Sequence, residues 1–429
     1  MAEEMLRFRG GTPLHGEVTV QGAKNSALPI LAAALMCSGE TVLYNVPRLT
    51  DTWTACRILN GLGCRCRSEG GTVTVVQKGL TGCEIPDADM RKMRSSLMFL
   101  GPLLGLQHAC ILTMPGGCEL GPRPIDMHLD AMRRLGAQIT ESGGRIVCTA
   151  AKLRGARIAL GFPSVGVTEN VLTAAAAAEG ETVLTNAARE PEIVDLARFL
   201  NAAGAKITGA GEGTVVIEGV PALHAAEYTV MPDRIAAMTW LCAAAAAGGA
   251  VCVRGAEPND MESCLAVLEA AGCRLGVCGD RVYLERSGTL KNPRCLRTMP
   301  YPGFPTDAQA PVTAVLSMAR GTAMIEETVF DSRYKHVTGL LRMGADIRVS
   351  GRTAVINGVR QLHGADVTAP DLRGGAALAV AAAAAEGETV LRGLHHIDRG
   401  YEDLAAVFNS LGATVRRSPI LSAGAGKIG

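Results

Sequence analysis

The chain of 429 residues is too long for one ordinary hydrophobic core, so its length favours two or three domains. Its 42 basic and 41 acidic side chains nearly cancel, which argues against a protein that binds nucleic acid or a membrane surface through a basic excess. Hydrophobic residues make up 48% of the chain, enough to build large cores.

The N-terminal stretch MAEEMLRFRG has two acids and no apolar segment, so it does not resemble a secretory signal. The longest near-apolar runs, such as Ala376–Ala385, are shorter than the roughly 20 residues that span a bilayer. We therefore expect a cytoplasmic protein with no membrane partner. Its 14 cysteines should be reduced, and most should be small buried hydrophobic residues. None has the paired CxxC spacing of a zinc site, and we expect no metal.

A short Leu-Gly-Ala-like signal recurs along the chain. Its glycines are residues 63, 136, 204, 272, 344 and 412, at intervals of 73, 68, 68, 72 and 68. Each follows a helical pattern, as in residues 125–137, and suits a left-handed helix C-cap. An alternating strand, a Gly-rich turn and a second strand come next.

A second signal marks the other half of each unit. The segments SGETVLYN, EGETVLTN and EGETVLRG each follow an Ala-rich run, which we expect to form a buried helix because alanine has high helix propensity. Each unit should therefore contain two helices and about four strands. Six units favour two domains of three units, with the hinge near residues 228–238 and a substrate cleft between the domains.

The first two candidate sites occur in the N-terminal half. In QGAKNSALP, Lys24 and Asn25 precede a helix, where a cation and backbone amides suit an anion, although a surface lysine before an N-cap fits too. In MPGGCELGPRP, Cys118 occupies a Gly-rich loop before Arg123, which could lower the pKa of the thiol.

Two further candidates occur in the last third of the chain. In PYPGFPTDAQA, Asp307 is either a general base or, as the local pattern favours, a helix N-cap. The pairs in DSR, DLRGG and HHIDRGYE are either structural ion pairs or parts of one cationic pocket whose arginines the aspartates orient. No P-loop and no convincing metal cluster is present in the sequence. The residues alone thus favour an enzyme that binds a small, multiply anionic substrate.

Together the motifs resemble the UDP-N-acetylglucosamine 1-carboxyvinyltransferases, a family of enolpyruvyl transferases. Along nearly the whole chain they are GAKNS, MRSS, PGGCELGPRPIDMHL, FPSVGVTEN, PDR, PYPGFPTDAQA, VFDSR, DLRGG and HHIDRGYE. The resemblance implies an α/β fold of two inside-out, barrel-like domains, each of three β-α-β-α-β-β units. The domains would be residues 24–231 and residues 1–23 plus 232–429. The first strand, Leu6 to Val20, would belong to the C-terminal domain.

The resemblance also implies the reaction. The enolpyruvyl group of phosphoenolpyruvate would move to the 3′-hydroxyl of UDP-N-acetylglucosamine through a tetrahedral ketal, with release of phosphate. This would be the first committed step of peptidoglycan precursor synthesis and a target of fosfomycin. No cofactor is implied, the partners are the two small-molecule substrates, and we expect a monomer with oligomers left open.

Site residues follow by match to the family's motifs. Catalytic roles fall on Lys24, Cys118, Asp307 and Arg399, with Cys118 as proton donor and Asp307 as proton acceptor. Phosphoenolpyruvate would be bound by Lys24, Asn25, Arg123, Arg373 and Arg399. UDP-N-acetylglucosamine would be bound by Asn25, Arg94, Arg123, Pro124, Ile125, Asp126, Met127, Phe162, Pro163, Ser164, Val165, Gly166, Asp307 and Val329. Supporting positions would be His128, Asp331, Arg333 and Asp371.

Two positions depart from the family pattern, and three alternatives stay open. Phe162 stands where some members have lysine, and Asp331 where some have glutamate. The sister enzyme, 5-enolpyruvylshikimate-3-phosphate synthase, shares the fold and reaction, but the PGGC and FPSVG motifs favour the UDP-sugar enzyme. A silent UDP-sugar-binding paralogue would not need all four of Lys24, Cys118, Asp307 and Arg399. A purely structural repeat protein would leave the clustered cations unexplained.

Overall fold

The computed structural model describes residues 4–113 and 125–419, apart from the side chain of Arg94. These residues form two compact units. The N-terminal unit comprises residues 21–233 and 300–302, and the C-terminal unit comprises residues 4–20, 234–299 and 303–419. Within the described ranges no helix combines the length and the apolar character that a membrane crossing requires.

The units are built from short strands and helices. In chain order the strands are β1 (Glu4–Arg9), β2 (Leu14–Thr19), β3 (Cys37–Tyr44), β4 (Arg65–Glu69), β5 (Thr72–Gln77), β6 (Ala109–Thr113), β7 (Gln138–Ser142), β8 (Arg145–Thr149), β9 (Arg157–Ala159), β10 (Glu181–Thr185), β11 (Lys206–Thr208), β12 (Thr214–Glu218), β13 (Leu223–His224), β14 (Glu227–Thr229), β15 (Gly249–Arg254), β16 (Arg274–Cys278), β17 (Arg281–Arg286), β18 (Cys295–Arg297), β19 (Thr322–Glu326), β20 (Asp346–Ser350), β21 (Thr353–Asn357), β22 (Asp366–Thr368), β23 (Glu388–Arg392) and β24 (Thr414–Pro419). The α-helices are α1 (Lys24–Ala34), α2 (Thr50–Gly61), α3 (Asp87–Lys92), α4 (Leu100–Gln107), α5 (Asp126–Arg134), α6 (Val165–Ala176), α7 (Pro191–Ala202), α8 (Arg234–Ala247), α9 (Glu262–Ala270), α10 (Thr306–Leu316), α11 (Val337–Arg342), α12 (Leu372–Ala384), α13 (Leu394–Ile397) and α14 (Leu404–Ser410). Two 3₁₀ helices cover Arg94–Phe99 and Pro258–Met261.

The repeat predicted from the sequence is confirmed by the strand pairing. In the unit β9-α6-β10-α7-β11-β12, β9 runs parallel to β10, β12 runs antiparallel to β10, and the sheet order is β11-β12-β10-β9. The same arrangement recurs in the sheets β16-β17-β15-β2 and β18-β19-β21-β20. In the described part of the β6-β8-β7 sheet, a single parallel bridge between Glu84 and Ile111 on β6 stands in place of the strand that begins the other units.

The six repeat glycines support the predicted helix ends. Their φ angles are +105°, +101°, +99°, +99°, +92° and +90° at Gly63, Gly136, Gly204, Gly272, Gly344 and Gly412. Glycine adopts this left-handed backbone without the steric penalty that a Cβ brings. Each glycine therefore lets the chain reverse from a helix into the strand that follows.

The expected single strand from Leu6 to Val20 is wrong. Two strands occupy this stretch: β1 pairs with β23 and β24, and β2 pairs with β15. The interruption has a steric cause, since a Cβ at Gly10 would lie 2.1 Å from the Ala382 carbonyl oxygen and Gly11 has a φ of +82°. Both strands complete sheets of the C-terminal unit.

The Ala-rich runs form buried helices, as predicted. Every residue of α12 from Arg373 to Ala384 is buried, and α8 is buried from Arg234 to Ala246. In the C-terminal unit α8, α10 and α12 pack against one another, and in the N-terminal unit α4 packs against α6. Strands such as β12 alternate buried and exposed residues, so one face of each sheet covers helices and the other meets solvent. This arrangement matches the inside-out α/β fold expected.

The cysteines depart from expectation. Of the 13 described, seven are buried, four are half-buried and two are exposed. Several lie on strands that have one face toward solvent, such as Cys66 on β4 and Cys278 on β16. Burial therefore accounts for only about half of them.

Candidate active site

In each unit, several of the described candidate residues lie at the first turns of buried helices. Lys24 and Asn25 open α1, Ser164 is the N-cap of α6, Asp307 lies in the first turn of α10, and Asp371 is the N-cap of α12. The first backbone N–H groups of a helix have no partner within the helix, and the helix dipole is positive there. Such ends favour anionic ligands.

Lys24 is a restrained cation. Its Nζ lies 3.7 Å from Oδ2 of Asp51, and the two side chains are 11% and 3% exposed. Its backbone N–H donates to Oδ2 of Asp233 at 3.3 Å. Because two carboxylates hold the first residue of α1, the ammonium group has a fixed position at the start of this helix.

The FPSVG segment leads into α6. Phe162 is 42% exposed, and the Ser164 hydroxyl accepts a hydrogen bond from the Val167 N–H at 3.5 Å. Gly166 faces the first turns of α5, since a Cβ there would lie 3.1 Å from Cε1 of His128. The close approach brings the beginnings of α5 and α6 together, and with them Asp126 and Met127.

His128 is a neutral imidazole with a defined tautomer. Asn170 accepts the Gly101 N–H through Oδ1 at 2.7 Å, so its Nδ2 is the donor both to the Leu97 carbonyl at 3.1 Å and to Nδ1 of His128 at 2.9 Å. Nδ1 therefore accepts, and the ring proton is on Nε2. Burial lowers the pKa of His128 to about 4, which keeps this donor uncharged at neutral pH.

Glu169 lies on the same helix and has an unusual environment. Burial, together with the negative charges of Glu192 and Glu190, raises its pKa to about 8. Glu169 is therefore largely protonated at neutral pH, and its carboxyl group can donate a hydrogen bond.

The Asp307 carboxylate forms ion pairs with two arginines. Nη2 of Arg333 lies 2.5 Å from Oδ1, while Nη2 and Nε of Arg373 lie 3.0 and 3.2 Å from Oδ2. The Arg333 and Arg373 side chains are 3% and 4% exposed, whereas Asp307 is 26% exposed. The carboxylate thus sits at the edge of a buried cationic pair and keeps one side open to solvent.

The N-cap interpretation of Asp307 is wrong. The N-cap position of α10 is Pro305, and no side chain caps the helix there. Asp307 is the second helical residue, where its carboxylate faces Arg333 and Arg373. Ion pairs with two guanidinium groups outweigh the hydrogen bond from a backbone N–H that a cap would provide.

The carboxylates of Asp331 and Asp371 contact groups other than the guanidinium groups of the neighbouring Arg333 and Arg373. Asp331 pairs with Arg352, and the Asp371 carboxylate accepts the N–H groups of Arg373 and Gly374 at 3.0 and 2.9 Å as the cap of α12. Arg333 and Arg373 instead converge on Asp307, as the single-pocket interpretation expects. Asp398, beside Arg399, binds Arg417 at 2.7 Å.

Glu327 and Asn170 were not predicted. Glu327 is fully buried and accepts the N–H groups of Val329 and Phe330 at 2.9 and 3.1 Å and the Thr306 hydroxyl at 2.9 Å. It fixes the loop that contains Val329 to the start of α10. The local sequence carries no signal for this role, because the contact with Thr306 spans 21 residues.

Several predicted residues are outside the described part of the chain. Cys118, Arg123 and Pro124 fall within residues 114–124, and the Arg94 side chain is not described. Ile125 is buried immediately before α5, and Arg399 is half-buried in the turn after α13. Over residues 4–113 and 125–419, no three His, Cys, Asp or Glu side chains are grouped so that they could hold a metal ion.

Known proteins share both sequence and fold with this chain. A family model described as EPSP synthase (3-phosphoshikimate 1-carboxyvinyltransferase) matches residues 8–408. The chain is 48% identical over 412 residues to UDP-N-acetylglucosamine 1-carboxyvinyltransferase 2 of Caldanaerobacter subterraneus subsp. tengcongensis, with 96% of this chain and 99% of that protein covered. It is 45% identical over 414 residues to the UDP-N-acetylglucosamine 1-carboxyvinyltransferase of Nitratidesulfovibrio vulgaris, with 96% and 99% covered.

Two solved structures are also similar. The enolpyruvyl transferase NikO from Streptomyces tendae superposes with a TM-score of 0.89 at 27% identity, covering 98% of this chain and all of that one. The EPSP synthase of Acinetobacter baumannii superposes with a TM-score of 0.74 at 20% identity, covering 97% of this chain and all of that one. The second likeness concerns the fold alone.

Proposed function

Since the chain belongs to the enolpyruvyl transferase family, we propose that it moves the enolpyruvyl group of phosphoenolpyruvate to the 3′-hydroxyl of UDP-N-acetylglucosamine and releases phosphate. Membership makes the protein a transferase. The observation that carries the choice of acceptor is the 48% identity, over nearly the full length of both chains, to a relative named for that reaction. We propose further that the reaction takes place in the cytoplasm and begins peptidoglycan precursor synthesis.

Binding of phosphoenolpyruvate requires several cations, because the substrate carries about three negative charges near neutral pH. We assign its phosphate to Lys24, Arg123 and Arg399, and its carboxylate to Arg373. The assignment is supported by the fixed position of Lys24 at the start of α1 and by the near-complete burial of Arg373. Arg373 can form a bidentate pair with a carboxylate.

The substrate carboxylate would compete with Asp307 for Arg373. In the free protein the Asp307 carboxylate contacts the guanidinium groups of Arg333 and Arg373. When the carboxylate of phosphoenolpyruvate takes the Arg373 contact, Asp307 loses that ion pair, and its Oδ2 can accept the proton of the 3′-hydroxyl. Binding of the anionic substrate would thus precede proton transfer to Asp307.

The chemical steps follow from these roles. Cys118 gives a proton to the methylene carbon of phosphoenolpyruvate, so the neighbouring carbon becomes electrophilic. The 3′-hydroxyl attacks that carbon while Asp307 accepts its proton, and a tetrahedral ketal forms. Loss of a proton from the methyl group and departure of phosphate then give the enol ether. The role of Cys118 rests on the match of its motif to the family.

The sugar nucleotide is assigned to the beginnings of α5 and α6. The first N–H groups of these helices suit phosphate oxygens, and the neutral Nε2–H of His128 adds an uncharged donor beside Gly166. Phe162 offers an exposed aromatic face where some members have a cation. Asp331, the other departure, is engaged by Arg352, so we assign it a structural role.

The competing function is that of an EPSP synthase, whose name the matching family model bears. An assay of phosphate release distinguishes the two functions. The purified protein is given phosphoenolpyruvate together with either UDP-N-acetylglucosamine or shikimate 3-phosphate as acceptor. We expect release only with the UDP-sugar. Release only with the shikimate ester would overturn the substrate, and release with neither, while UDP-sugar binding persists, would indicate a silent paralogue.

A further inference from the structure

Two half-buried cysteines meet where α2 turns into β4. The Asn60 side chain accepts the Cys66 N–H through Oδ1 at 2.8 Å, which fixes the start of β4 beside the last turn of α2. Cys56 lies one helical turn before Asn60 and therefore on the same face of α2. Both side chains pack against the margin of the core of the N-terminal unit, where each thiol influences the pKa of the other.

We propose that Cys56 and Cys66 are a site of reversible oxidation and form an intramolecular disulfide under mild peroxide. Nothing in the proposed transferase reaction uses either residue, so the oxidation does not depend on that assignment. The bond would close the short loop between residues 56 and 66 and tie α2 to β4. Helix α2 also contains Asp51, the partner of Lys24.

The environment of the pair favours this chemistry. Interaction with the Cys66 thiol lowers the pKa of Cys56, whereas interaction with Cys56 raises the pKa of Cys66. Cys56 is therefore the thiol that forms a thiolate more readily, and thiolates are the species that react with peroxides. Both residues are accessible in part, unlike the buried Cys64 nearby.

A second cysteine pair provides a natural contrast. Cys110 and Cys148 are opposite each other on β6 and β8, and both are fully buried. Burial raises the pKa of Cys148 to about 11 and that of Cys110 well above its usual value. These two thiols are close in the sheet but shielded from an aqueous oxidant and hard to ionise, so we expect them to stay reduced.

The oxidation balances in two steps. The Cys56 thiolate attacks one oxygen of hydrogen peroxide, the O–O bond breaks, and sulfenic acid and hydroxide form; the hydroxide takes up a proton to give water. The Cys66 sulfur then attacks the sulfenic sulfur, forms the S–S bond and releases a second water. Two thiols lose two electrons in total, and one peroxide gains them.

Tryptic mapping tests the pair directly, because arginines separate the neighbouring cysteines. Cleavage after Arg48, Arg57, Arg65 and Arg67 places Cys56 in peptide 49–57, Cys64 in peptide 58–65 and Cys66 in peptide 66–67. The full-length protein is reduced, freed of reductant, treated with hydrogen peroxide, alkylated and digested without reductant. We expect a species in which peptide 49–57 is linked to peptide 66–67. Treatment with dithiothreitol should separate the two peptides. Cys110 and Cys148 should remain reduced and become alkylated once the protein is unfolded.

Variants complete the test. Cys66→Ser should abolish the linked species and leave Cys56 as a reversible sulfenic acid, whereas Cys110→Ser, the matched control, should leave the link unchanged. Linkage through peptide 58–65 would overturn the assignment of the pair. Oxidation of Cys110 and Cys148 before any link appears between Cys56 and Cys66 would overturn the proposal. Both of these contrary outcomes can be observed with the wild-type protein alone.

Discussion

Asp307 is the residue whose surroundings bear most directly on the proposed reaction. Its carboxylate is in contact with two guanidinium groups that are almost fully buried, yet a quarter of its own side chain is exposed. A carboxylate that only stabilised the fold would be expected to lie as deep as its partners. Its partial exposure leaves it within reach of a substrate hydroxyl.

Replacing Asp307 with asparagine should separate catalysis from binding. We expect kcat for phosphate release to fall by about 100- to 10,000-fold, as for loss of a general base, while the Kd for UDP-N-acetylglucosamine stays within a few-fold. Stability should fall by roughly 1–3 kcal/mol because two buried guanidinium groups lose their acceptor. Kinetics, calorimetric titration and urea unfolding measure the three quantities.

The matched control is Asp366→Asn, which breaks a pair between Asp366 and Arg392 in which the aspartate is mostly exposed. This variant should keep kcat and change stability by less than about 1 kcal/mol. Equal loss of turnover and of sugar-nucleotide affinity in Asp307→Asn would instead indicate that Asp307 is a binding residue.

Cys118→Ser tests the other proton-transfer group. A serine hydroxyl is a far weaker acid than a thiol, so we expect turnover to fall sharply. Covalent inactivation by fosfomycin, which requires the thiol, should disappear. Incubation with fosfomycin followed by intact-mass measurement should show the added mass on the wild-type chain alone, and a variant that remains fully sensitive would contradict the assignment of Cys118.

The residue scale is also where prediction from sequence was least complete. The motifs assigned Asp307 and the arginines to the substrate site, but the local pattern favoured a cap for Asp307. The correct partners, Arg333 and Arg373, are 26 and 66 residues away, which no local pattern can detect. Asn170 was missed for the same reason, since it joins Gly101 to His128 across 69 and 42 residues.

At the scale of elements, close helix packing depends on a glycine. A Cβ at Gly101 on α4 would lie 2.2 Å from the Thr173 hydroxyl and 2.4 Å from the Asn170 carbonyl oxygen on α6. Both acceptors belong to a buried helix that cannot shift freely. The contact explains why a glycine is placed in the first turn of α4 despite its poor helix propensity.

Gly101→Ala should therefore destabilise the protein by about 1–3 kcal/mol, because overpacking forces the two helices apart. Gly61→Ala is the control: Gly61 ends α2 and nothing lies within 4 Å of its Cβ position. There the substitution should be neutral or stabilising by up to about 1 kcal/mol. Urea unfolding of both variants measures the difference, and similar effects at the two positions would contradict the packing argument.

Elements were the scale best predicted from sequence. The six repeat glycines marked helix ends because a positive φ is cheap only for glycine, and the Ala-rich runs marked buried helices. The break between β1 and β2 was missed. It depends on the approach of Gly10 to the end of α12, more than 370 residues later in the chain.

At the scale of the whole molecule, two histidines couple stability to pH. Burial lowers the pKa of His336 and of His128 to about 4 each, against an ordinary value of 6.5. Between pH 6.5 and pH 4 these two histidines are protonated in the unfolded chain but remain neutral in the folded chain. The stability that these residues contribute is therefore complete above pH 6.5 and is lost as pH falls toward 4. The raised pKa of Glu169 has the opposite effect, because it lowers the stability of the folded chain as pH increases from 4.5 to 8.

His336→Phe isolates one of these contributions. Relative to wild type, the variant should gain about 2 kcal/mol in unfolding free energy between pH 7 and pH 5, because phenylalanine cannot take up a proton. His15→Phe, at an exposed position on β2, is the matched control for the change of residue type. Urea unfolding at the two pH values gives the comparison, and parallel curves for wild type and His336→Phe would contradict it.

The Ala-rich helices leave one question that their burial cannot answer, namely which way each helix is turned about its axis. A helix that is apolar on all sides gains nearly the same hydrophobic free energy at every rotation, since each setting exchanges one small aliphatic side chain for another. A few polar contacts can select a single setting. Thr239 on α8 bonds to the Tyr401 hydroxyl at 2.8 Å, Asn170 on α6 to the Gly101 N–H at 2.7 Å, and Ser26 on α1 to the Asp195 carboxylate. These contacts supply the uniqueness of the native arrangement more than its stability. Lys24 and the FPSVG segment occur at the beginnings of α1 and α6. The polar contacts that fix the rotation of these helices therefore also determine the direction in which Lys24 and the FPSVG segment face.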